Sequence, residues 1–405
     1  MRLTPTLSGL LSCLLIGGMA EAFAADSTPK QTFAEQATSL METLEARKLP
    51  QPKPFGDSEL DLFYAMMDGL TPVDVAFCAR IKLIELTDGL LPLLAQPLPG
   101  HGDLNQTKTS MTACKLFVLR GHLLCQQGEI AEGQAWLLKP RLMARRTGSD
   151  QSLLQHLTAI AMDAIGQQSA ARYAETWAES DRQAYVKSAE ALSALGELHA
   201  AIRSDNDTYP EKHRMRTMIK EFKSMTATQQ RERLNEILDG AFPGPEYQKE
   251  QSDFVNLYLD IILNLTPETW DIFIVKYSSE LDPLTPEKLK DFTSRNADVL
   301  KKARAGATQP TNPAHPSLAG KEKAESLYRR LMASGVEGVA RQRLDLELRA
   351  KLLIVAMQKG SSFDEACLAN LTTAEGKALR LGTHEGCKAI LTADDQPFLT
   401  IGRVK

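Results

Sequence analysis

Apolar positions recur every three to four residues along most of this chain, the period of helices that bury one face. In residues 25 to 48, Phe33, Ala37, Leu40, Met41 and Leu44 keep that spacing and predict a helix. Three alternating prolines in "LPQPKPFGD" (Leu49 to Asp57) then predict an extended linker. From Ser58 to Tyr185 the pattern predicts helix after helix. "DVAFCARIKLIELTDG" reads as one, and "SMTACKLFVLRGHLLCQQG" as the next, closed by Gly128 as its C-cap. "EIAEGQAWLLKPRLMARRTG" follows, and Pro140 should bend or restart it. Thr147 to Asp150 form a turn in which Ser149 or Asp150 can cap the next helix.

The same style continues, with more charge, from Glu175 to Arg304. Two segments there open alike: Thr266 or Thr285 as N-cap, Pro267 or Pro286 at the first helical position, Glu268 or Glu287 facing the helix dipole. No repeat period is sustained, so a regular solenoid is not established. "ARAGATQPTNPAHPSLAG" (Ala303 to Gly320) reads as a linker. Two helices are expected after it, "KEKAESLYRRLMASG" and one around "VARQRLDLELRAKLLIVAMQKG", where Leu344, Leu348, Leu352, Val355 and Met357 track one face. Beyond Gly360, short apolar runs with turns at "GTHEG" and "ADDQ" predict two or three small strands.

The expected fold is therefore mainly α, packed helical hairpins with a small C-terminal β-element. Residues 1–24 read as a signal peptide, 25–57 as an N-terminal helix with a Pro-rich linker and 58–302 as a helical domain. Residues 303–320 read as a second linker, and 321–405 as a C-terminal helix pair with a small β-sheet.

The signal peptide rests on Arg2, the apolar run "LSGLLSCLLIGGMA" and the small residues Ala22 and Ala24 before Ala25. That run is shorter than the roughly 20 residues a membrane span needs. Cys13 would mark a lipoprotein, but Leu14, Leu15 and Ile16 continue the apolar run where a lipidated start should turn polar, which favours plain cleavage. A periplasmic or secreted location follows, with no transmembrane segment in the mature chain. The formal charge of −4, with acids and bases well mixed, gives no reason to expect a nucleic-acid partner.

Candidate chemistry is sparse. His156 lies at the flank of the stripe formed by Leu153, Leu157, Ile160 and Ala164, with only Ser152 as a polar neighbour on its side of the helix. It reads as a half-buried boundary residue. There is no CxxC or HExxH, and the seven histidines stand singly, so no metal site is expected. "SDNDTYPEKHRMR" opens like a calcium loop at Asp205 and Asp207, but Pro210 and Arg216 occupy positions that need glycine and glutamate. "GTHEGCKA" gathers His384, Glu385 and Cys387, for which a disulfide is a simpler account than a Cys–His pair. No GxSxG elbow or phosphate-binding glycine loop is present, and no cofactor is expected. Lys139, Arg141, Arg145 and Arg146 read as a solvated face near Glu129, Glu132 and Asp150, and Trp136, Trp177 and Trp270 as core.

Five cysteines remain after Cys13: Cys78, Cys114, Cys125, Cys367 and Cys387. Export permits disulfides, and an odd number leaves one thiol over. Cys114 and Cys125 share a helix face but stand roughly 16 Å apart at the helical rise, too far to bond. The expected pairs are Cys78–Cys125, with Cys78–Cys114 as the competing choice, and Cys367–Cys387 tying the long helix to the sheet.

"GQAWLLKPRLMARRTGSDQSLLQHLTAIAMDAIGQQS" resembles a helix–turn–helix stretch of uncharacterised exported helical proteins from planctomycete-type bacteria. "GSSFDEACLAN" and "TTAEGKALRLGTHEGCKAIL" resemble their closing segment, although the Asp-Pro and tyrosine of that segment are missing here and two cysteines are added. The resemblance implies an exported, mostly helical protein with a terminal β-element, and it carries no activity.

These readings point to a non-enzymatic interaction or scaffold protein of the cell envelope, with an unidentified envelope protein as partner. The alternatives are a hydrolase or transferase whose site is assembled from distant residues, with His122, His156 and His199 as contributors, or an apolar-ligand binder.

Overall fold

The computed structural model of the protein describes residues 58–69, 71–95, 104–146, 153–207, 220–238, 255, 259, 276–301 and 321–402. The expected N-terminal helix, both linkers, the Thr147–Asp150 turn, Trp270 and the Thr266 cap lie outside those residues.

The body is built from α1 (Ser58–Met67), α2 (Val75–Arg80), α3 (Leu83–Leu90), α4 (Leu104–Gln127), α5 (Ile130–Ala144), α6 (Leu153–Ala171), α7 (Glu179–Glu190), α8 (Leu198–Asp207), α9 (Ala227–Leu238) and α10 (Pro286–Arg295). "DVAFCARIKLIELTDG" is two helices rather than one. Lys82 sits in the left-handed region at φ 53°, which breaks the chain between α2 and α3. That conformation costs a non-glycine residue roughly 1–2 kcal/mol. The break lets Phe77, Cys78 and Ile81 on one side, and Leu83, Leu86 and Leu90 on the other, enter the same core. Asp74 caps α2 by accepting from the backbone N–H of Ala76 and Phe77. Gln126 at the end of α4 holds the entry to α2, accepting from Val73 N at 2.7 Å and donating to Val73 O at 3.1 Å.

The α4–α5 hairpin turns where the sequence predicts, at Gly128 with φ +88°. There the Gly128 N–H donates to Cys125 O and the Glu129 N–H to Leu124 O, satisfying carbonyls at the end of α4. The two helices approach closely because glycines meet at their crossing. A Cβ on Gly133 would stand 2.5 Å from Cys125 Sγ and 3.0 Å from Gly121 O. Pro140 neither ends nor restarts α5, which runs from Ile130 to Ala144 with the proline inside and buried. α6 lies against α5 and against α4.

Where two C-terminal helices were expected, one 39-residue helix, α11 (Lys321–Lys359), is found. Gly335 and Gly338 do not interrupt it, because Ala333, Val336, Val339 and Ala340 pack into the body's core across that stretch. Tertiary burial outweighs the weak local propensity of glycine. The buried face of α11 centres on Leu346, Leu353 and Ala356, with Leu352 and Met357, while Leu344, Leu348 and Val355 are half-buried.

Beyond α11 a three-stranded antiparallel sheet forms in the order β1 (Leu379–His384), β2 (Cys387–Thr392), β3 (Pro397–Thr400). The β1–β2 turn is Glu385-Gly386, both at positive φ (49° and 73°), and His384 faces Cys387 as the closing pair. Two central residues at positive φ match the twist of the flanking strands. Asp395, at φ 62°, turns β2 into β3. Gln168 on α6 clamps Thr400 through both backbone groups, and the Gly402 N–H donates to Ala171 O. The sheet is thereby seated on the C-terminal end of α6. Two hydrophobic clusters result. The first joins α1–α6, α8 and α10 to the earlier half of α11, and the second joins α4–α7 to the later half of α11 and the sheet. Among the described residues, no helix is long and apolar enough to cross a membrane.

Candidate functional site

Polar side chains from four distant segments converge where the sheet meets the end of α6. Lys115 and His122, two turns apart on α4, face the end of α1. His122 Nε2 lies 2.8 Å from Met67 O, and Nδ1 lies 2.6 Å from the Tyr173 hydroxyl. A carbonyl only accepts, so Nε2 carries the proton and Tyr173 donates to Nδ1. Tyr173 stacks on Trp177 with ring centroids 4.7 Å apart and planes 9° from parallel. The Cys125 thiol lies against both rings. Lys115 Nζ donates to the Tyr64 hydroxyl at 3.1 Å.

Asp68 and Arg172 complete this junction. Burial pushes the Asp68 carboxyl above the usual carboxylate range, and the Glu385 charge pushes the same way against Arg172 and Lys115. Arg172 directly follows α6 and is 8% exposed. Burial lowers its guanidinium, while Cys387, Asp68 and Glu385 counter that shift. Gly69, at φ +69°, passes over its aliphatic stem, where a Cβ would stand 3.3 Å from Arg172 Cγ. Asp68, Lys115 and Tyr173 are half-buried and Glu385 is exposed, so the junction reaches solvent at its rim. Chemically it can exchange a proton at Asp68 and offer N–H groups at Arg172 to an electron-rich atom.

From this group the sequence singled out His122, Glu385 and Cys387, with Cys125 as a disulfide candidate and Trp177 as core. Asp68, Lys115, Arg172 and Tyr173 carry no local signal, since each is an ordinary polar residue at the flank of a helical pattern. The three histidines do not share a site. His156 is fully buried, not a boundary residue, and burial with help from the Arg343 charge lowers its pKa to about 3. His199 on α8 pairs with Asp282 at 3.2 Å. His384 closes the β1–β2 hairpin, 3.8 Å from Glu385.

The expected disulfides are not formed: Cys78, Cys114, Cys125, Cys367 and Cys387 are all free thiols. The break at Lys82 is the reason at the N-terminal end, because α3, not α2, becomes the hairpin partner of α4. Cys78 then enters the first cluster and Cys125 the second. Burial pushes these thiols up, Cys78 to about 12 and Cys125 to about 11, and raises Cys114 as well. At the other end, Cys367 donates to Asp364 Oδ1 from a 3-10 turn (Glu365–Leu368), while Cys387 points at the Glu385 carbonyl and Arg172.

The expected basic face is also different. Arg141 is buried and donates to Asp163 Oδ1, with Arg145 on the same carboxylate. Lys139 is half-buried with its ammonium 4.4 Å from the centre of the Trp136 ring, which Arg120 covers at 3.9 Å. Only Arg146 is exposed as expected. Trp136 and Trp177 are core residues, as their patterns predict. Asp205 and Asp207 fall within α8, and the rest of the calcium-like segment lies outside the described residues. Among the described residues, no group of three His, Cys, Asp or Glu side chains is placed to hold a metal ion.

Four large apolar side chains among the described residues remain exposed away from this junction. Val75 is 52% exposed, Ile84 57%, Leu91 36% and Leu142 42%. Ile84 lies in the first turn of α3, and Leu91 opens the 3-10 turn (Leu91–Ala95) that follows α3 and packs on α5, which carries Leu142. Arg120 joins the two elements through Asp88 and Glu132. Comparison of the chain with protein-family models, with curated proteins and with solved structures returned no match.

Proposed function

We propose that this chain is an exported, non-enzymatic interaction protein of the cell envelope, binding an envelope protein through the α3–α5 face. The observation that carries this reading is the exposure of Ile84 on α3, Leu91 on the 3-10 turn that follows it and Leu142 on α5, against which that turn packs. Charged Asp88, Glu132 and Arg120 lie among them, the mixed composition of a specific interface rather than a lipid-facing one. The signal-peptide pattern of residues 1–24 and the resemblance to exported helical proteins support the location. Mild crosslinking in the native envelope, followed by pull-down and mass spectrometry, tests it. A stoichiometric partner lost in the Ile84→Asp, Leu142→Asp double variant is expected. A clean monomer with no partner overturns the proposal.

A second reading, a hydrolase or transferase assembled from distant residues, is favoured by the convergence of Asp68, Lys115, His122, Arg172 and Tyr173. A substrate screen in which His122→Gln and Asp68→Asn abolish turnover while the chain stays folded would establish it.

A further inference from the structure

Arg172 holds two donors in an unusual position. Nε and Nη1 are buried and have no hydrogen-bond partner among the described residues, in a residue that is more than nine-tenths buried. A buried donor left unpaired costs about 1–3 kcal/mol, more when charged. The end of the chain brings the thiol of Cys387, a poor acceptor, beside this guanidinium: the Ile401 N–H donates to Lys388 O and the Gly402 N–H to Ala171 O, next to Cys387 and Arg172 in turn.

We propose that Cys387 is an oxidation site at which peroxide forms a sulfenic acid held by Arg172. The sulfur attacks one peroxide oxygen, so an S–O bond forms and the O–O bond breaks. Sulfur is oxidised by two electrons and the peroxide is reduced. The leaving hydroxide takes the thiol proton and departs as water. The new oxygen accepts from Arg172, a charge-assisted bond that the thiol does not make. Access comes through the hairpin end. Cys387 is 3% exposed, but it belongs to the closing pair beside exposed Glu385 and Gly386, where local opening is least costly. The other thiols lack this setting: Cys78 and Cys114 lie within the first hydrophobic cluster and Cys125 within the second, and Cys367 sits on a 3-10 turn against the Asp364 carboxylate.

Residues 25–405, reduced and desalted, are treated with hydrogen peroxide and a dimedone trap, and adducts at each cysteine are quantified by peptide mass spectrometry. The adduct at Cys387 is expected to exceed those at Cys78, Cys114 and Cys125 by about fivefold or more, and to fall by a similar factor in Arg172→Gln. Arg172→Lys, which keeps the charge with fewer donors, should lie between, and it serves as the test if the glutamine variant does not fold. Cys387 labelling no greater than that of Cys114, or unchanged in a folded Arg172 variant, overturns the proposal.

Discussion

Arg141 Nε donates to Asp163 Oδ1 across the α5–α6 pair at 2.8 Å, with the two side chains only 4% and 3% exposed. Gly166 makes this possible, since a Cβ there would stand 2.6 Å from Arg141 Cγ. Arg145 Nη1 and Gln167 Nε2 also donate to Asp163, at 2.9 and 3.0 Å, and the Tyr185 hydroxyl lies beside Arg141. One carboxylate thus serves two guanidinium groups, and that ratio sets the consequence of removing it.

Asp163→Asn should destabilise the fold by about 3–5 kcal/mol, because both arginines lose their counter-charge in a buried setting. Burial pushes the Asp163 carboxyl up, but the Arg141 charge and the Arg145 hydrogen bonds outweigh it and hold the group below the usual range. Its stabilising contribution is therefore complete above about pH 4 and is lost as pH falls through the folded value. Urea denaturation at neutral pH checks this, with an unchanged slope and a lower midpoint expected. A loss smaller than about 1 kcal/mol would show that the network is not an essential part of the fold.

His156 should make the protein acid-sensitive at a higher pH than Asp163 does. The unfolded chain binds a proton there near pH 6.5, whereas the buried ring binds one only near 3. Between those values the unfolded state holds more protons, so stability falls as the pH drops, by about 1.4 kcal/mol per unit at the limit. His156→Gln cannot take up that proton. Denaturation midpoints measured from pH 7 to pH 4 should flatten by about one proton in the variant. Parallel profiles for the two proteins would be the contrary result.

Two glycines in helix interiors should respond in opposite directions. Gly133→Ala forces a Cβ against Cys125 Sγ and the Gly121 backbone, and a net loss of about 1–2 kcal/mol is expected despite the better helix propensity. Gly338→Ala on α11 meets nothing within 4 Å and should gain about 0.5–1 kcal/mol. Thermal melts of both variants beside the parent read this directly. Two shifts of the same sign would contradict the close crossing of α4 and α5.

Some of this fold is legible in the sequence because its causes are local. Thr285 accepts from the Lys288 N–H ahead of Pro286, the arrangement that the order Thr-Pro-Glu predicts. Gly128 ends α4, and "GTHEG" makes the hairpin turn, because only a few residue types tolerate positive φ. The junction at Arg172 was legible only in part. His384, Glu385 and Cys387 stand out as a dense run, whereas Asp68 meets Arg172 only because the turn after α1 passes over the end of α6, and the seating of the sheet on α6 brings Glu385 and Cys387 to the same place.

By itself, then, the sequence determined the helical class, the caps and turns, the apolar faces and the strands after Gly360. Each of these is decided by residues within about one helical turn or one hairpin of each other. The tertiary structure alone decided that Lys82 breaks a helix, that α11 is continuous, that Arg141 is buried and that the five thiols are free. The burial of a charge, or the meeting of two sulfurs, depends on surfaces contributed by distant segments, and helical periodicity records which face is apolar but not which partner covers it.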